Sequence, residues 1–127
     1  MSDTSLRLQA LRGATTVEAN TAAAIATAVD ELMEALVQSN GLQADRVISA
    51  VFSVTADLDA LFPASIARRR PGWDAVALLD CQQMAVAGDL QRCIRVMVQA
   101  WMDPEHPPHH PYLREALRLR PDRSGHN

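Results

Sequence analysis

Twelve arginines and no lysine supply the positive charge of this chain, and Arg95 is the one in the hardest place. It lies within Cys93-Ile94-Arg95-Val96-Met97-Val98-Gln99-Ala100-Trp101, where β-branched and small apolar residues alternate with the others as in a strand. A strand apolar on both faces is buried on both faces. A guanidinium cannot escape burial by losing its proton, so something anionic must meet it. From the strand alone, a carboxylate of the chain itself and a bound ligand answer that need equally well.

Few other residues have chemistry to offer. Arg12 precedes Gly13 at the end of an alternating stretch, a common place for a ligand-facing side chain, although a solvated terminal arginine is the plainer account. Asp80 follows the apolar run at 75–79 and is expected at the mouth of a buried element. Arg68, Arg69 and Arg70 crowd one short segment that reads first as a solvated face. There is a single tyrosine, Tyr112. Gly-rich phosphate loops and Ser/His/Asp or Cys/His signatures are missing. Arginines, one carboxylate, one tyrosine and some amides suit electrostatic catalysis on a small dicarboxylate better than covalent chemistry. Each arginine can also hold a carboxylate through two parallel hydrogen bonds. His106, His109 and His110 lie among prolines without a CxxC or HExxH partner, so no metal site is expected.

These residues need elements to place them. Alternation predicts a first strand over 6–12, broken by Gly13. Asn20 is a candidate N-cap for a helix reaching residue 39, with Ile25, Val29, Leu32, Met33 and Leu36 on one stripe and Asn40-Gly41 as its C-cap. A second strand is expected over 46–55 and a short helix over 65–70, with Pro63 near its first turn. A strand over 73–79, the Arg95 strand, a polar loop over 103–111 and a last strand over 112–119 complete the order. The tail from Pro121 is expected to be disordered. The fold class is therefore α+β: a mixed sheet of about five strands on one long and one short helix. One amphipathic helix covers one sheet face and leaves the other to find cover elsewhere.

With 127 residues the chain forms one domain with one core. Its net charge of −3 points away from nucleic acid and anionic membrane surfaces. Cys81 and Cys93 are too few for a disulfide scaffold and read as reduced thiols of a cytoplasmic protein. No signal peptide and no apolar run of bilayer length is seen. Aromatic residues are only 4%, so the core is aliphatic and Ala-rich, and a small domain of that kind often gains stability by oligomerising.

Several stretches resemble one family. Leu11-Arg12-Gly13-Ala14-Thr15-Thr16-Val17-Glu18 looks like the opening signature of the trimeric, pseudo-α/β-barrel class of monofunctional chorismate mutases. Ser53-Val54-Thr55-Ala56-Asp57-Leu58 with Leu61-Phe62-Pro63-Ala64 is similar to its second signature. Gly72-Trp73, Gln82-Gln83-Met84-Ala85-Val86, Cys93-Ile94-Arg95-Val96-Met97, Tyr112-Leu113 and Leu119-Arg120-Pro121-Asp122 follow in the same order. The resemblance runs from about residue 8 to residue 122. It implies a [3,3]-sigmatropic rearrangement of chorismate to prephenate, at the branch toward Phe and Tyr, without cofactor, metal or covalent intermediate. It also implies a ferredoxin-like subunit in a homotrimer, with active sites in the clefts between subunits and the uncovered sheet face buried by neighbours.

In that family's pattern Arg95 would bind the ether oxygen, where negative charge grows as the C–O bond breaks. Arg12 and Tyr112 would hold the carboxylate of the enolpyruvyl side chain and keep the substrate in its chair-like conformer. Arg68 and Arg120 would bring positive charge to the site mouth. Phe62, Ala64, Leu78, Leu79 and Leu119 would line apolar walls. The chain departs from the pattern in two places. Gln83 stands where the family usually has a Glu that accepts the ring hydroxyl's hydrogen bond. Asp80 stands where it often has Cys. The expectation is that Asp80 takes over the Glu's charge and that Gln83 still meets the hydroxyl. The competing class is a non-catalytic trimer that binds a dicarboxylate metabolite in the same arginine-lined cleft.

Overall fold

A computed structural model describes residues 5–119. Its elements run β1 (Arg7–Thr16), α1 (Ala22–Asn40), β2 (Val47–Val54), α2 (Pro63–Ala67), β3 (Ala77–Gln82) and β4 (Cys93–Met102). Short 3-10 turns at Ala44–Arg46 and Trp73–Ala75 lead into β2 and β3, and a 3-10 helix over Arg114–Leu119 ends the described chain. The strands form one sheet in the order β1-β4-β2-β3. β2 and β3 run parallel, while β4 is antiparallel to both of its neighbours. This is the expected α+β architecture, with four strands among the described residues.

The apolar stripe of α1 explains where that helix lies. Ile25, Val29, Leu32, Met33 and Leu36 are all buried. They pack with Leu11, Phe52, Ile94, Val96 and Val98 from one face of the sheet. The N-cap is Thr21, one residue later than expected; its hydroxyl accepts from the Ala24 N–H at 3.1 Å. Asn20 serves a neighbouring loop instead. Its amide oxygen accepts from the Asp59 and Ala60 N–H groups, and its Nδ2 donates to the Asp59 carboxylate. Gly41 closes the helix in the left-handed conformation, φ 56°.

Gly13 does not break β1, which continues to Thr16. A Cβ on Gly13 would stand 3.0 Å from Leu32 Cδ1 and 3.2 Å from the Pro111 carbonyl oxygen. Glycine is needed here for close approach of helix and chain, not for a turn. Gly13→Ala is expected to cost about 1–3 kcal/mol through overpacking, measured as a lower midpoint in denaturant.

Two further elements differ from expectation. Trp73–Ala75 is a turn with Trp73 buried beneath it, and β3 begins only at Ala77. Asp80 therefore lies within a strand, not at its mouth. The last strand shrinks to a single parallel bridge between Tyr112 and Ala14. Arg114, at φ 52°, turns the chain out of the extended conformation. The 3-10 helix that follows is held by Arg114 donating to both Glu31 carboxylate oxygens, at 3.0 and 2.8 Å, and by burial of Ala116.

The sheet has one covered and one open face. β4 was expected to be buried on both. Its even-numbered residues are, but Met97, Gln99 and Trp101 are exposed within one chain. Leu8 lies opposite Trp101 and Val51 opposite Met97 on this open face. Leu79, paired with Val51, is 60% exposed.

Candidate active site

Arg95 stands on the open face in a cross-strand row with Ala14 of β1, Ser53 of β2 and Cys81 of β3. A cleft of about 530 Å³ opens there, and Arg12, Tyr112, Leu119 and Arg95 all line it. Period-2 alternation puts Arg12, opposite Met97, on the same face. Tyr112 comes from the other end of the chain. The Ala14 N–H donates to the Pro111 carbonyl at 3.0 Å, and the Leu113 N–H donates to the Ala14 carbonyl at 2.8 Å. Two residues that the sequence marked only for other roles, His110 and Asn40, hold this approach. The Arg12 N–H donates to His110 Nδ1 at 3.0 Å. The buried Asn40 side chain donates to the His109 carbonyl at 2.9 Å and accepts from the His109 N–H at 2.8 Å. The Pro/His loop is thus pinned to the C-terminus of α1, with the His110 ring and the His109 backbone serving the frame of the cleft.

The anion beside Arg95 is Asp89, which the sequence reading passed over. Asp89 Oδ1 lies 3.7 Å from Arg95 Nη2, longer than a hydrogen bond. Gln83 Nε2 donates to Asp89 Oδ2 at 2.5 Å, and the Leu90 N–H donates to Oδ1 at 2.8 Å. Arg95 Nε and Gln83 Oε1 are both buried without a hydrogen-bond partner. Such orphaned polar atoms cost about 1–3 kcal/mol each and call for a ligand or a functional reason. The internal carboxylate therefore satisfies Arg95 only in part. Burial pushes the neighbouring Cys93 thiol up, against the pull of Arg95, which keeps it neutral beside the guanidinium.

Asp80 is placed differently from the expectation. It pairs with Phe52 across β2 and β3, on the face that the helices cover, whereas Arg95 is on the open face. Its carboxylate accepts from the Ala64 N–H at 3.0 Å and ties α2 to β3. Within one chain it does not oppose Arg95. Burial pushes its carboxyl above the usual carboxylate value, while the Ala64 N–H and Arg68 pull it down. A carboxyl raised on folding holds its proton more tightly in the folded state, so its contribution to stability is full below the unfolded pKa and is lost as pH rises through the folded one. Asp80→Asn keeps an acceptor for Ala64. It is expected to leave thermal stability near neutrality equal or higher and to flatten its dependence as pH rises above the ordinary aspartate range of about 4.

The remaining expected site residues divide. Phe62, 72% exposed, lines a second cleft of about 480 Å³ together with Asp80. Arg68 ends α2 and is exposed. Ala64 is buried, Leu78 packs partly against the core, and Leu79 points to the open face. Arg120 lies outside the described residues. The two clefts are separated by β2, with Arg95 on β4 and the Phe62 group along the edge strand β3. Among the described residues no three His, Cys, Asp or Glu side chains group as a metal site. No helix is long and apolar enough to cross a membrane.

Comparison with known proteins shows the family to which the chain is similar. The family model of type I chorismate mutases matches residues 8–123. The chorismate mutase AroH of Bacillus subtilis (strain 168) is 38% identical over 120 residues, 94% of this chain and 94% of the relative. The chorismate mutase AroH of Thermus thermophilus is 44% identical over 117 residues, covering 91% and 95% of the two chains. A solved chorismate mutase from Clostridium thermocellum superposes with a TM-score of 0.79 at 42% identity, covering 87% of this chain and 99% of the other.

Proposed function

The chain belongs to the type I chorismate mutase family, and from that premise we propose that it converts chorismate to prephenate by electrostatic stabilisation and conformational restriction, serving aromatic amino-acid biosynthesis in the cytoplasm. The observation that carries this reading is the meeting of Arg12, Arg95 and Tyr112 in one cleft from three distant parts of the chain. Two guanidinium groups and a phenol in a pocket of that size suit a small dicarboxylate.

The rearrangement breaks a C–O bond and forms a C–C bond within one molecule. No proton, electron or nucleophile need be supplied, so the protein acts by shape and charge alone. Arg12 and Tyr112 grip the enolpyruvyl carboxylate and fold the side chain over the ring in the chair-like conformer. The ether oxygen becomes more negative as its bond lengthens. Arg95, whose Nε is buried without a partner, stabilises that charge more than it stabilises the ground state. Gln83 offers its equally unpaired Oε1 to the ring hydroxyl.

The working unit is proposed to be a homotrimer in a pseudo-α/β-barrel arrangement. The open apolar sheet face then turns into the common core, and β3 is free to lie along a neighbour. The exposed Phe62 and Leu79, with Leu78 and Ala64 behind them, supply the apolar wall of the neighbour's Arg95 cleft. Arg68, together with Arg120, brings positive charge to its mouth, and Leu119 closes it from the Arg95 side. A binder using the same cleft differs in one respect: chorismate raises its melting temperature and stays chorismate. Thermal shift and product analysis on the same samples, in the presence of a chelator, separate the two. The mutase reading expects prephenate, and recovery of unchanged chorismate overturns it.

A further inference from the structure

We propose that Asp89 is a positioning residue of the mutase site, holding Arg95 and Gln83 in their working orientations and supplying the fixed negative charge that the site needs. The proposal rests on the mutase reading above and gives the carboxylate role to a residue other than Asp80.

The geometry is specific. Asp89 is the only acidic residue between Asp80 and Asp103 in the sequence. Gly88, at φ 83°, turns the loop after β3 so that Asp89 reaches back toward the start of β4. The carboxylate then sits between the two site residues, with Oδ2 accepting from Gln83 and Oδ1 facing Arg95 at 3.7 Å. The Leu90 N–H fixes Oδ1 at 2.8 Å. Asp89 is well placed, mostly buried and short of a full pairing with Arg95.

Each contact has a consequence for the reaction. An amide whose N–H donates to a carboxylate is polarised, and its oxygen becomes a better acceptor. In Gln83 that oxygen is the buried atom without a donor, the atom proposed to meet the ring hydroxyl. A glutamine alone has no charge to set against the positive character that the ring develops. Asp89 behind it restores the charge one hydrogen bond away. The loose contact to Arg95 steers the guanidinium without using up its Nε, which stays open for the ether oxygen. Asp80 cannot do this from the same chain, because it is on the helix-covered face and committed to Ala64.

Asp89→Asn removes the charge and keeps one acceptor oxygen, which can still accept from Gln83 at the expense of the Leu90 N–H contact. The variant is expected to keep its melting temperature within about 2 °C, lose about ten- to a hundredfold in kcat and change KM less. Gln83→Glu added to Asp89→Asn keeps one carboxylate and one amide in the pair with their places exchanged, and is expected to recover most of the loss. A role limited to tying down the loop predicts no loss of kcat in the single variant and no gain in the double. The inference is overturned if Asp89→Asn keeps wild-type kcat, if the exchange fails to rescue it, or if Asp80→Asn shows the larger loss. If the wild type itself forms no prephenate, the mutase reading falls first and this inference with it. A wild type that turns over beside an unaffected Asp89→Asn removes only the inference.

Discussion

Arg95→Ala is expected to lower kcat on chorismate by about 10²–10³, with a smaller change in KM. The difference between the two constants carries the argument. Charge on the ether oxygen grows only as the C–O bond lengthens, so a cation aimed at it lowers the barrier more than it tightens ground-state binding. Arg12 and Tyr112 still hold the carboxylate in the variant, which preserves most of KM. The fold should tolerate the change, because Asp89 keeps its bonds from Gln83 and Leu90 and Arg95 met it only at 3.7 Å. Arg95→Lys is expected to recover part of the loss, since an ammonium supplies charge without the planar fork. A KM-dominated defect in Arg95→Ala would mean that the residue merely binds substrate.

The second large effect concerns assembly. Leu8 and Trp101 stand opposite each other on the open face, at the other end of β4 from Arg95. They lie six residues along the strand from it, about 20 Å away. Together with Val51, Leu79 and Met97 they leave an apolar sheet surface exposed, and each half-exposed side chain contributes roughly 1 kcal/mol when covered. Leu8→Asp combined with Trp101→Asp sets two like charges opposite each other where the proposed trimer packs. The double variant is expected to sediment as a monomer and to lose more than about 10² in kcat/KM, a loss of the size produced by misplacing site groups. Neither position lines the Arg95 cleft, so such a loss has to come from separating the cleft from the Phe62 edge of a neighbour. A monomer that keeps full turnover would show that one chain holds the whole site.

The elements that place Arg95 were legible because their signals are periodic. Alternation marked β2 and β4, and the i, i+3, i+4 stripe marked α1. The strand at 112–119 misled because Arg114 takes positive φ and trades ladder bonds for a pair of bonds to Glu31, a contact 83 positions away in sequence. The face that Asp80 takes was not read from the sequence for a simpler reason. Asp80 is three residues from Gln83, and residues three apart along a strand point to opposite faces. The start of β3 was placed too early because Trp73–Ala75 looked like strand but forms a turn over a buried indole. Once β3 is known to start at Ala77, parity puts Leu79, Cys81 and Gln83 on the Arg95 side and Asp80 on the other. Asp89 left one trace, a lone acid after a glycine in the loop before the arginine strand. His110 and Asn40 were visible only as a loop histidine and a helix cap, since their work at the cleft depends on contacts between distant segments that no local pattern announces.

The central claim is turnover assisted by the Arg95 charge, and one progress curve addresses it. Purified protein is mixed with chorismate, and chorismate consumed and prephenate formed are followed together, with Arg95→Ala run alongside at equal melting temperature. The account predicts mole-for-mole conversion at a saturable rate that the variant loses by about 10²–10³. Chorismate that protects the protein from heat yet is recovered unchanged, or a variant that converts it as fast as the wild type, would contradict it.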